Sequence, residues 1–323
     1  MAQKEGASLR AVLAAMVVNF SIAVIKCIAG AFSHSSAMLA ESVHSLADTG
    51  NQILLWLGYR LSQRRPDLLH PFGYGKERYF WSFLVALLMF VIGGIYSIRE
   101  GILKIAHPHP LRHTAWNLGV LVLSMILEGT AFRMALRGLD APYRTPRAFW
   151  QYVRTTKQPM LIVVLFEDGA ALLGLCLALI GIGLARITGD ARWDGMASIG
   201  IGLLLVGVAY IIARETHSLL IGEGLSSQRY QELLNAIRAV PGVQYVYDLK
   251  TLYIGPRDLI VAIEVDLADS LTSVAAVAQQ IDRIEQAVRA VVPEARYIYV
   301  ETERMRRALR PQSDSGGAAP PQS

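Results

Sequence analysis

Long apolar segments alternate with short polar loops over the first two thirds of the chain. Four segments, at 9–32, 79–98, 118–136 and 160–187, are apolar almost throughout. Two more, at about 36–61 and 193–213, contain polar residues or glycine but are long enough to cross roughly 30 Å of hydrocarbon. The pattern therefore predicts a polytopic α-helical membrane protein with six transmembrane helices.

After about Arg214 the pattern becomes that of a small soluble domain. A helix capped by Ser226 is followed by two alternating strands, VQYVYDLKTLYIG and DLIVAIEVDLA, with GPRD turning between them. A helix over 273–291 and a strand ARYIYVE complete an αββαβ order, which is a small α+β domain. We therefore expect a membrane domain over 1–214, the α+β domain over 215–303 and a disordered Pro/Gly/Ser tail over 304–323.

Composition and charge agree with a membrane protein. Hydrophobic residues make up 53% of the 323 residues, and the formal net charge is +5. Lysine and arginine concentrate in the loops after the second and fourth segments, so the positive-inside rule places both termini and the soluble domain in the cytoplasm. These loops account for the basic balance without nucleic-acid binding. We expect no secretory signal peptide, and we expect a bacterial inner membrane as the location.

Ionisable residues inside the predicted spans are the candidate functional groups, because such residues are costly unless they face the bundle interior. They are Glu41, His44 and Asp48 in the second span, Glu128 in the fourth, and Glu167 and Asp168 in the fifth. His44 and Asp48 stand four residues apart and share one helix face, so both can reach one ion. Imidazole nitrogen and carboxylate oxygen suit a borderline divalent metal such as Zn²⁺, which usually takes four ligands.

The remaining ligands are open at this point. Glu167 and Asp168 are about 100° apart around their helix, so one of them is expected to point at the ion, and Glu128 is a further donor. The alternative is that these polar groups only hold helices together. Five acidic residues and one histidine, with Lys26 the single basic residue near their depth, favour a cation site. Cys27 and Cys176 are expected to be small buried hydrophobic residues.

Three motifs give the sequence a resemblance to a known family. They are SSAMLAESVHSLADTGNQ at the second span, HPFGYGKERYFWSF leading into the third, and FEDGAALLG in the fifth. With six spans and a C-terminal soluble domain, the chain resembles the cation diffusion facilitator family of metal/proton antiporters over about residues 8–303. The segments ADTGNQ, LEGTAF, FWQYVRTTKQP and LFEDGAA are similar to the branch that includes the animal mitochondrial zinc exporter.

The resemblance implies a metal site in the middle of the membrane, with two ligands from the second span and two from the fifth. The matching positions are His44, Asp48 and Asp168, but the fourth falls on Val164, which cannot bind a metal. Glu128 or Glu167 is then expected to supply the missing donor. Glu128 is preferred, because in this family the fourth span packs in the same helix cluster.

Two other sites of the family are incomplete in this chain. Zinc exporters of the family can hold a shallow site of one aspartate and two histidines in the first cytoplasmic loop, where this chain has Asp67, His70 and Tyr74. The soluble domain binds zinc through histidines in some members, but the last histidine here is His217. Its acidic residues are expected to face solvent; they include Asp248, Glu264, Asp266 and Glu301.

The resemblance implies a secondary transporter that exports a divalent cation, with Zn²⁺ favoured, in exchange for protons. It also implies a homodimer formed through the soluble domain and the membrane helices. We find no nucleotide-binding motif and no catalytic triad, so we expect neither an enzyme nor a bound cofactor. The alternatives are an antiporter for Mn²⁺, Fe²⁺ or Co²⁺, and a membrane metal sensor or scaffold that does not transport.

Overall fold

The computed structural model describes residues 2–33, 36–107, 114–139, 146–268, 270 and 273–302. For residues 2–11, 26, 29–33, 36–44, 114–118, 146–147 and 151 it describes the backbone alone. The chain forms two compact units, one ending at Ile221 and the other beginning at Gly222. The predicted tail over 304–323 lies outside the described residues.

The first unit is helical. Its elements are α1 (Ala2–Ser33), α2 (Ser36–Ser62), α3 (Glu77–Leu88), a π-helical segment (Met89–Ile95), α4 (Tyr96–Ala106), α5 (Thr114–Arg137), α6 (Pro146–Thr155), α7 (Pro159–Thr188) and α8 (Arg192–Ile221). Helix α7 begins with Pro159, whose missing N–H is not needed in a first turn, and is closed by Gly189 in the left-handed conformation. These end signals explain why α7 is close to the predicted 160–187.

Four helices of the described residues are long and apolar enough to cross a membrane. They are Glu77–Ala106, Gly119–Arg137, Pro159–Thr188 and Arg192–Ile221. Helix α1 contains a shorter apolar stretch, Val12–Ile25. The predicted fold class of a helical membrane protein is confirmed, while the count of six spans stays a prediction.

Helix α8 runs past the predicted end at 213. Ile212, Thr216 and Leu219 are all buried, and their spacing of four and three residues continues one helix face. The Thr216 hydroxyl donates to the carbonyl of Ile212 at 2.7 Å, so this polar residue is satisfied within the helix. The buried contacts on that face explain why α8 continues to Ile221.

Glycines bring α4 and the π-helical segment into close contact with α8. A Cβ atom added at Gly202 would lie 2.8 Å from the carbonyl oxygen of Gly94. One added at Gly101 would lie 2.6 Å from the carbonyl oxygen of Gly195. The two glycine pairs stand about two helical turns apart along the contact, so the backbones stay close over its length.

The two cysteines lie on the outside of the helical unit. Cys27 of α1 and Cys176 of α7 are both exposed free thiols. The prediction that they are buried is therefore wrong. On a helix that crosses a membrane the outer face is itself in contact with hydrocarbon, so an apolar residue type does not distinguish a lipid-facing position from a buried one.

The second unit has the predicted αββαβ order. Its elements are α9 (Ser227–Arg238), β1 (Val243–Gly255), β2 (Asp258–Leu267), α10 (Val274–Val291) and β3 (Ala295–Thr302). The sheet order is β1-β2-β3, with β1 antiparallel to β2 and β2 parallel to β3. Alternate residues of β2, such as Val261 and Ile263, are buried and pack with Ile237 of α9 and Ile284 of α10. The α+β prediction is confirmed.

The two helices of this unit begin differently. The Ser273 side chain accepts a hydrogen bond from the Ala276 N–H at 3.1 Å and caps α10. Ser226 has the extended backbone of a cap residue, but its side chain makes no capping hydrogen bond to α9. Its carbonyl oxygen accepts the first helical bond, from the Tyr230 N–H at 2.8 Å. The predicted side-chain cap at Ser226 is therefore wrong.

A partly buried ion pair links α9 to the turn before β3. Both terminal nitrogens of Arg229 donate to the carboxylate of Glu294, and the Tyr253 hydroxyl donates to it at 3.1 Å. Burial acts to raise the pKa of Glu294, but the hydrogen bonds from Arg229 and Tyr253 leave this pKa below its usual range. The charged carboxylate therefore stabilises the folded domain.

The glycine contact predicts a position-dependent effect of one methyl group. We expect Gly202→Ala to lower the free energy of unfolding in detergent by about 1–3 kcal/mol, because the added Cβ must displace backbone atoms. Gly207→Ala on the same helix is the control, because a Cβ there has nothing within 4 Å. Chemical denaturation of both purified variants measures the difference. Equal stability of the two variants would contradict the contact.

The ion pair predicts a pH-dependent loss of stability. Because the folded pKa of Glu294 lies below its usual value, its contribution is complete above that usual value and is lost as the pH falls through the folded pKa. We expect Arg229→Met to destabilise the domain by about 1 kcal/mol near pH 7, since partial exposure of Arg229 weakens the pair. The difference should shrink as the pH falls below the usual pKa of a glutamate and vanish below the folded pKa of Glu294.

Hydrogen exchange at the amides of α9 and β3 in the full chain measures this effect. Arg296→Met is the control, because Arg296 pairs with Asp258 and half of its side chain is exposed. An Arg229→Met difference that persists unchanged at acidic pH would show that Arg229 acts through packing alone.

Candidate metal site

Helix α2 carries the predicted pair His44 and Asp48. Its backbone is helical through both residues, which puts them about one turn apart on one face. Asp48 is partly buried, and it lines a cavity inside the first unit. The side chains of His44 and Glu41 lie outside the described part of the chain, so their roles as ligands stay predictions.

The cavity lies between helices of the first unit and has a volume of about 390 Å³. Its wall is mostly apolar and includes Met89, Ile92 and Gly93 of the π-helical segment. The polar side chains in this wall are Asn19, Asp48, Asn51, Glu128, Glu167 and Asp168. Among the described residues no lysine or arginine lines it. As far as its described lining shows, the cavity is therefore an acidic chamber without a basic side chain.

Asp168 of α7 is the most deeply buried of these carboxyl groups, with 1% of its surface exposed. Neither carboxyl oxygen has a hydrogen-bond partner among the described residues. A buried carboxylate without partners is unfavourable in protein, and more so at membrane depth. Asp168 therefore needs a cation or a proton in the cavity.

Glu128 of α5 is buried and lines the same cavity. Helix α5 packs against α7, so its carboxyl group is brought to the same chamber as Asp168. Val164, the position at which the family pattern expects a ligand, is fully buried in the apolar core. Val164 thus offers no ligand atom, whereas Glu128 presents a carboxyl group at the wall of the cavity.

Glu167 is held in a different way from its neighbour Asp168. One of its carboxyl oxygens accepts from Asn51 Nδ2 at 2.8 Å and the other accepts from Gln52 Nε2 at 2.9 Å. Both amides belong to α2, so the side chain bridges α2 and α7. Both oxygens of Glu167 therefore already accept hydrogen bonds from α2.

The described side chains of the site do not form a coordination sphere. Among the described residues no three His, Cys, Asp or Glu side chains lie close enough together to hold one metal ion. Coulomb repulsion between carboxylates opposes a closer approach in a cavity of low dielectric constant. The structure thus brings Asp48, Glu128 and Asp168 to one chamber without bringing them to one point.

Three polar residues around the cavity are absent from the predicted site. Asn51 and Gln52 follow Asp48 by three and four residues, so helical spacing alone places them on its face. That spacing is the signal that would have found them. Asn19 lies with Ser21 in the otherwise apolar stretch VVNFSIAV of α1, and no spacing rule singles it out.

The first loop has the geometry of a shaped turn. Asp67 Oδ1 accepts from the backbone N–H groups of Leu69 and His70 at 3.0 and 2.7 Å, and Oδ2 accepts from the Tyr74 hydroxyl at 2.6 Å. The Tyr74 hydrogen bond, with the backbone N–H groups, lowers the pKa of Asp67, and the same bond raises the pKa of Tyr74. Asp67 is thus used inside the turn, which favours a structural role over metal binding.

This turn predicts a gain of metal binding on a single substitution. Tyr74→His removes the hydroxyl that engages Asp67 and adds a second imidazole beside His70. We expect this variant to bind about one Zn²⁺ per chain more than the unmodified protein, because Asp67 and two histidines are three of the four ligands that zinc requires. Elemental analysis after equilibrium dialysis measures the ratio.

Tyr74→Phe is the control, because it frees Asp67 without adding a ligand. Equal zinc content in Tyr74→His and Tyr74→Phe would contradict the prediction. A loop site already present in the unmodified protein would appear as zinc that Asp67→Asn removes.

Comparison with known proteins identifies the family of the chain. A family model described as the cation efflux transmembrane domain matches residues 12–221. The chain is 33% identical over 258 residues to the proton-coupled zinc antiporter SLC30A9, mitochondrial, of Xenopus laevis, covering 80% of this chain and 46% of that protein. The chain thus spans about half the length of these first relatives.

Two further relatives come from other organisms. Metal tolerance protein C4 of Arabidopsis thaliana is 32% identical over 260 residues, which cover 80% of this chain and 57% of the relative. The cation-efflux pump FieF of Escherichia coli is 28% identical over 280 residues, which cover 86% of this chain and 87% of the relative. With the family model matching well over half of its length, the chain belongs to the cation diffusion facilitator family, as its motifs indicated.

Proposed function

We propose that the protein exports a divalent metal cation from the cytoplasm in exchange for protons, with Zn²⁺ the favoured cargo. The observation that carries the proposal is Asp168, a buried carboxyl group with two unpaired oxygens among the described residues, in an acidic cavity. Family membership supports the proposal, because two groups of relatives carry the names proton-coupled zinc antiporter and cation-efflux pump.

The proposed cargo site combines His44 and Asp48 of α2 with Asp168 of α7 and Glu128 of α5. One imidazole and three carboxylates make a harder ligand set than a site with two histidines. Zn²⁺ is therefore favoured without strong exclusion of Mn²⁺, Fe²⁺ or Co²⁺. Competition between these metals for one protein measures the preference directly.

Exchange follows from the chemistry of the ligands. Metal binding requires deprotonated carboxylate and neutral imidazole, so protons and metal compete for the same atoms. In the proposed cycle the metal enters from the cytoplasm, the helices reorient, and protons from the other side displace it. A histidine ligand suits this exchange, because imidazole changes its charge near neutral pH.

The proposal includes the cellular arrangement. Both termini lie in the cytoplasm, and the membrane is the bacterial inner membrane. The loop charges and the Escherichia coli relative support this placement. The membrane domain over 1–214 carries out transport, and the α+β domain over 215–303 joins two copies into a homodimer, as the family resemblance implies.

Loss of the Asp168 charge should abolish transport. In proteoliposomes with a proton-sensitive dye inside, Zn²⁺ should drive proton flux through the unmodified protein. We expect Asp168→Asn to reduce this flux to that of empty vesicles, because the amide keeps the shape but removes the anionic ligand. Asp194→Asn is the control, since Asp194 pairs with Lys104 and does not line the cavity.

Three outcomes separate the possibilities. Flux that is unchanged in both Asp168→Asn and Asp48→Ala would contradict the proposed site. Tight metal binding with no flux in the unmodified protein would favour a membrane sensor or scaffold. Mn²⁺, Fe²⁺ or Co²⁺ outcompeting Zn²⁺ for flux would reassign the cargo and leave the mechanism standing.

A further inference from the structure

Glu167 imposes a direction on the amide groups around it. An ionised Glu167 can only accept hydrogen bonds, so Asn51 and Gln52 each turn an NH₂ group toward it. With Glu167 in this form, a flipped amide would place oxygen against oxygen.

The orientation of the Gln52 amide in α2 also determines the orientation of the Asn19 amide in α1. Because Gln52 uses its nitrogen for Glu167, its Oε1 atom is left as an acceptor. Asn19 Nδ2 donates to this oxygen at 3.4 Å. The amide of Asn19 is oriented in turn, and its own oxygen must face away from Gln52. Glu167, Gln52 and Asn19 thus form a chain of hydrogen bonds with one polarity, which we call the amide relay.

The relay ends in an unpaired oxygen. Asn19 is only 2% exposed, and its Oδ1 has no hydrogen-bond partner among the described residues. A buried carbonyl oxygen without a donor is rare, and it indicates a missing ligand or water. Asn19 lines the same cavity as Asp168, whose two oxygens are also unpaired in the described part of the chain. Asn19 of α1 and Asp168 of α7, each with unpaired side-chain oxygen among the described residues, therefore line one chamber.

We propose that Asn19 Oδ1 is a neutral oxygen ligand of the transported cation, and that Glu167 and Gln52 are positioning residues that present it. This inference rests on the proposed function and adds a donor from α1. An amide oxygen is a hard ligand that suits Mn²⁺ and similar cations better than it suits zinc. Asn19 therefore broadens the range of cargo toward harder cations.

A purely structural Asn19 would behave differently. Polar side chains between membrane helices commonly hold helices together through hydrogen bonds. Loss of such a contact lowers stability and slows transport of every metal by the same factor. A ligand that favours hard cations instead alters the ratio between metals. The ratio of half-saturating concentrations for Mn²⁺ and Zn²⁺ is thus the informative quantity.

The experiment uses the full chain in proteoliposomes, with Mn²⁺ and Zn²⁺ as the probes. For Asn19→Leu we expect the half-saturating concentration of Mn²⁺ to rise about tenfold or more, as for loss of a supporting metal contact, with a smaller rise for Zn²⁺. Thr216→Val is the control, because Thr216 is equally buried but bonds only within α8 and does not line the cavity.

A spectroscopic measurement reports the coordination directly. Bound Co²⁺ absorbs visible light with bands that depend on the number and kind of its ligands. We expect these bands to change in Asn19→Leu and to stay unchanged in Thr216→Val. Glu167→Gln should shift the Mn²⁺ to Zn²⁺ ratio in the same direction as Asn19→Leu, because the introduced amide can donate as well as accept and no longer fixes the relay.

Each outcome decides the inference. An unchanged metal ratio together with unchanged Co²⁺ bands in Asn19→Leu would show that Asn19 only joins helices. If Asn19→Leu does not fold, Glu167→Gln decides, and no shift in its metal ratio would overturn the proposal. Failure of Asp168→Asn to stop transport would remove the proposed function itself. Failure at Asn19 alone would leave that function standing.

Discussion

The free-energy cost of a buried carboxyl group governs the membrane unit of this protein. Asp168 and Glu167 are adjacent in α7, and both are buried among apolar helices. Glu167 is compensated inside the protein by two amide donors from α2. Asp168 is not compensated, since neither of its oxygens has a partner among the described residues. One carboxyl group thus joins α2 to α7, and its neighbour carries no such compensation among the described residues.

The helices around the cavity are held by contacts of very different kinds. Against α8, the π-helical segment and α4 pack through glycines, whose backbones approach too closely to admit another methyl group. The π-helical segment itself lines the cavity through Met89, Ile92 and Gly93. A π-helical turn departs from regular α-helical hydrogen bonding, and such turns are frequent at functional sites. The π-helical segment therefore packs closely against α8 and also contributes irregular backbone to the wall of the cavity.

Local sequence patterns predicted much of the fold and about half of the candidate site. The four-residue spacing of His44 and Asp48 depends only on helical geometry, and the αββαβ order depends on short-range alternation, so both are visible in the sequence. The spacing of Asn51 and Gln52 from Asp48 is visible in the same way, but their pairing with Glu167 is not, because it depends on which face of α2 packs against α7. Ser226 has the residue type and the backbone of a cap, yet its side chain does not cap the helix. Tertiary contacts decide these details, and single-residue preferences do not.

The described wall of the cavity contains carboxyl groups but no basic side chain, and this composition bears on the proposed exchange of metal for protons. In a soluble core a buried carboxylate is usually paired with lysine or arginine, and that pairing would make the site permanently neutral. No lysine or arginine of the described residues lines this cavity, which favours balancing its charge by ions from solution. A divalent cation and protons are the two candidates, and they compete for the same oxygens. Carboxylates that are stabilised by a divalent cation or by protons, and that are unfavourable when neither is bound, favour obligatory exchange over uniport.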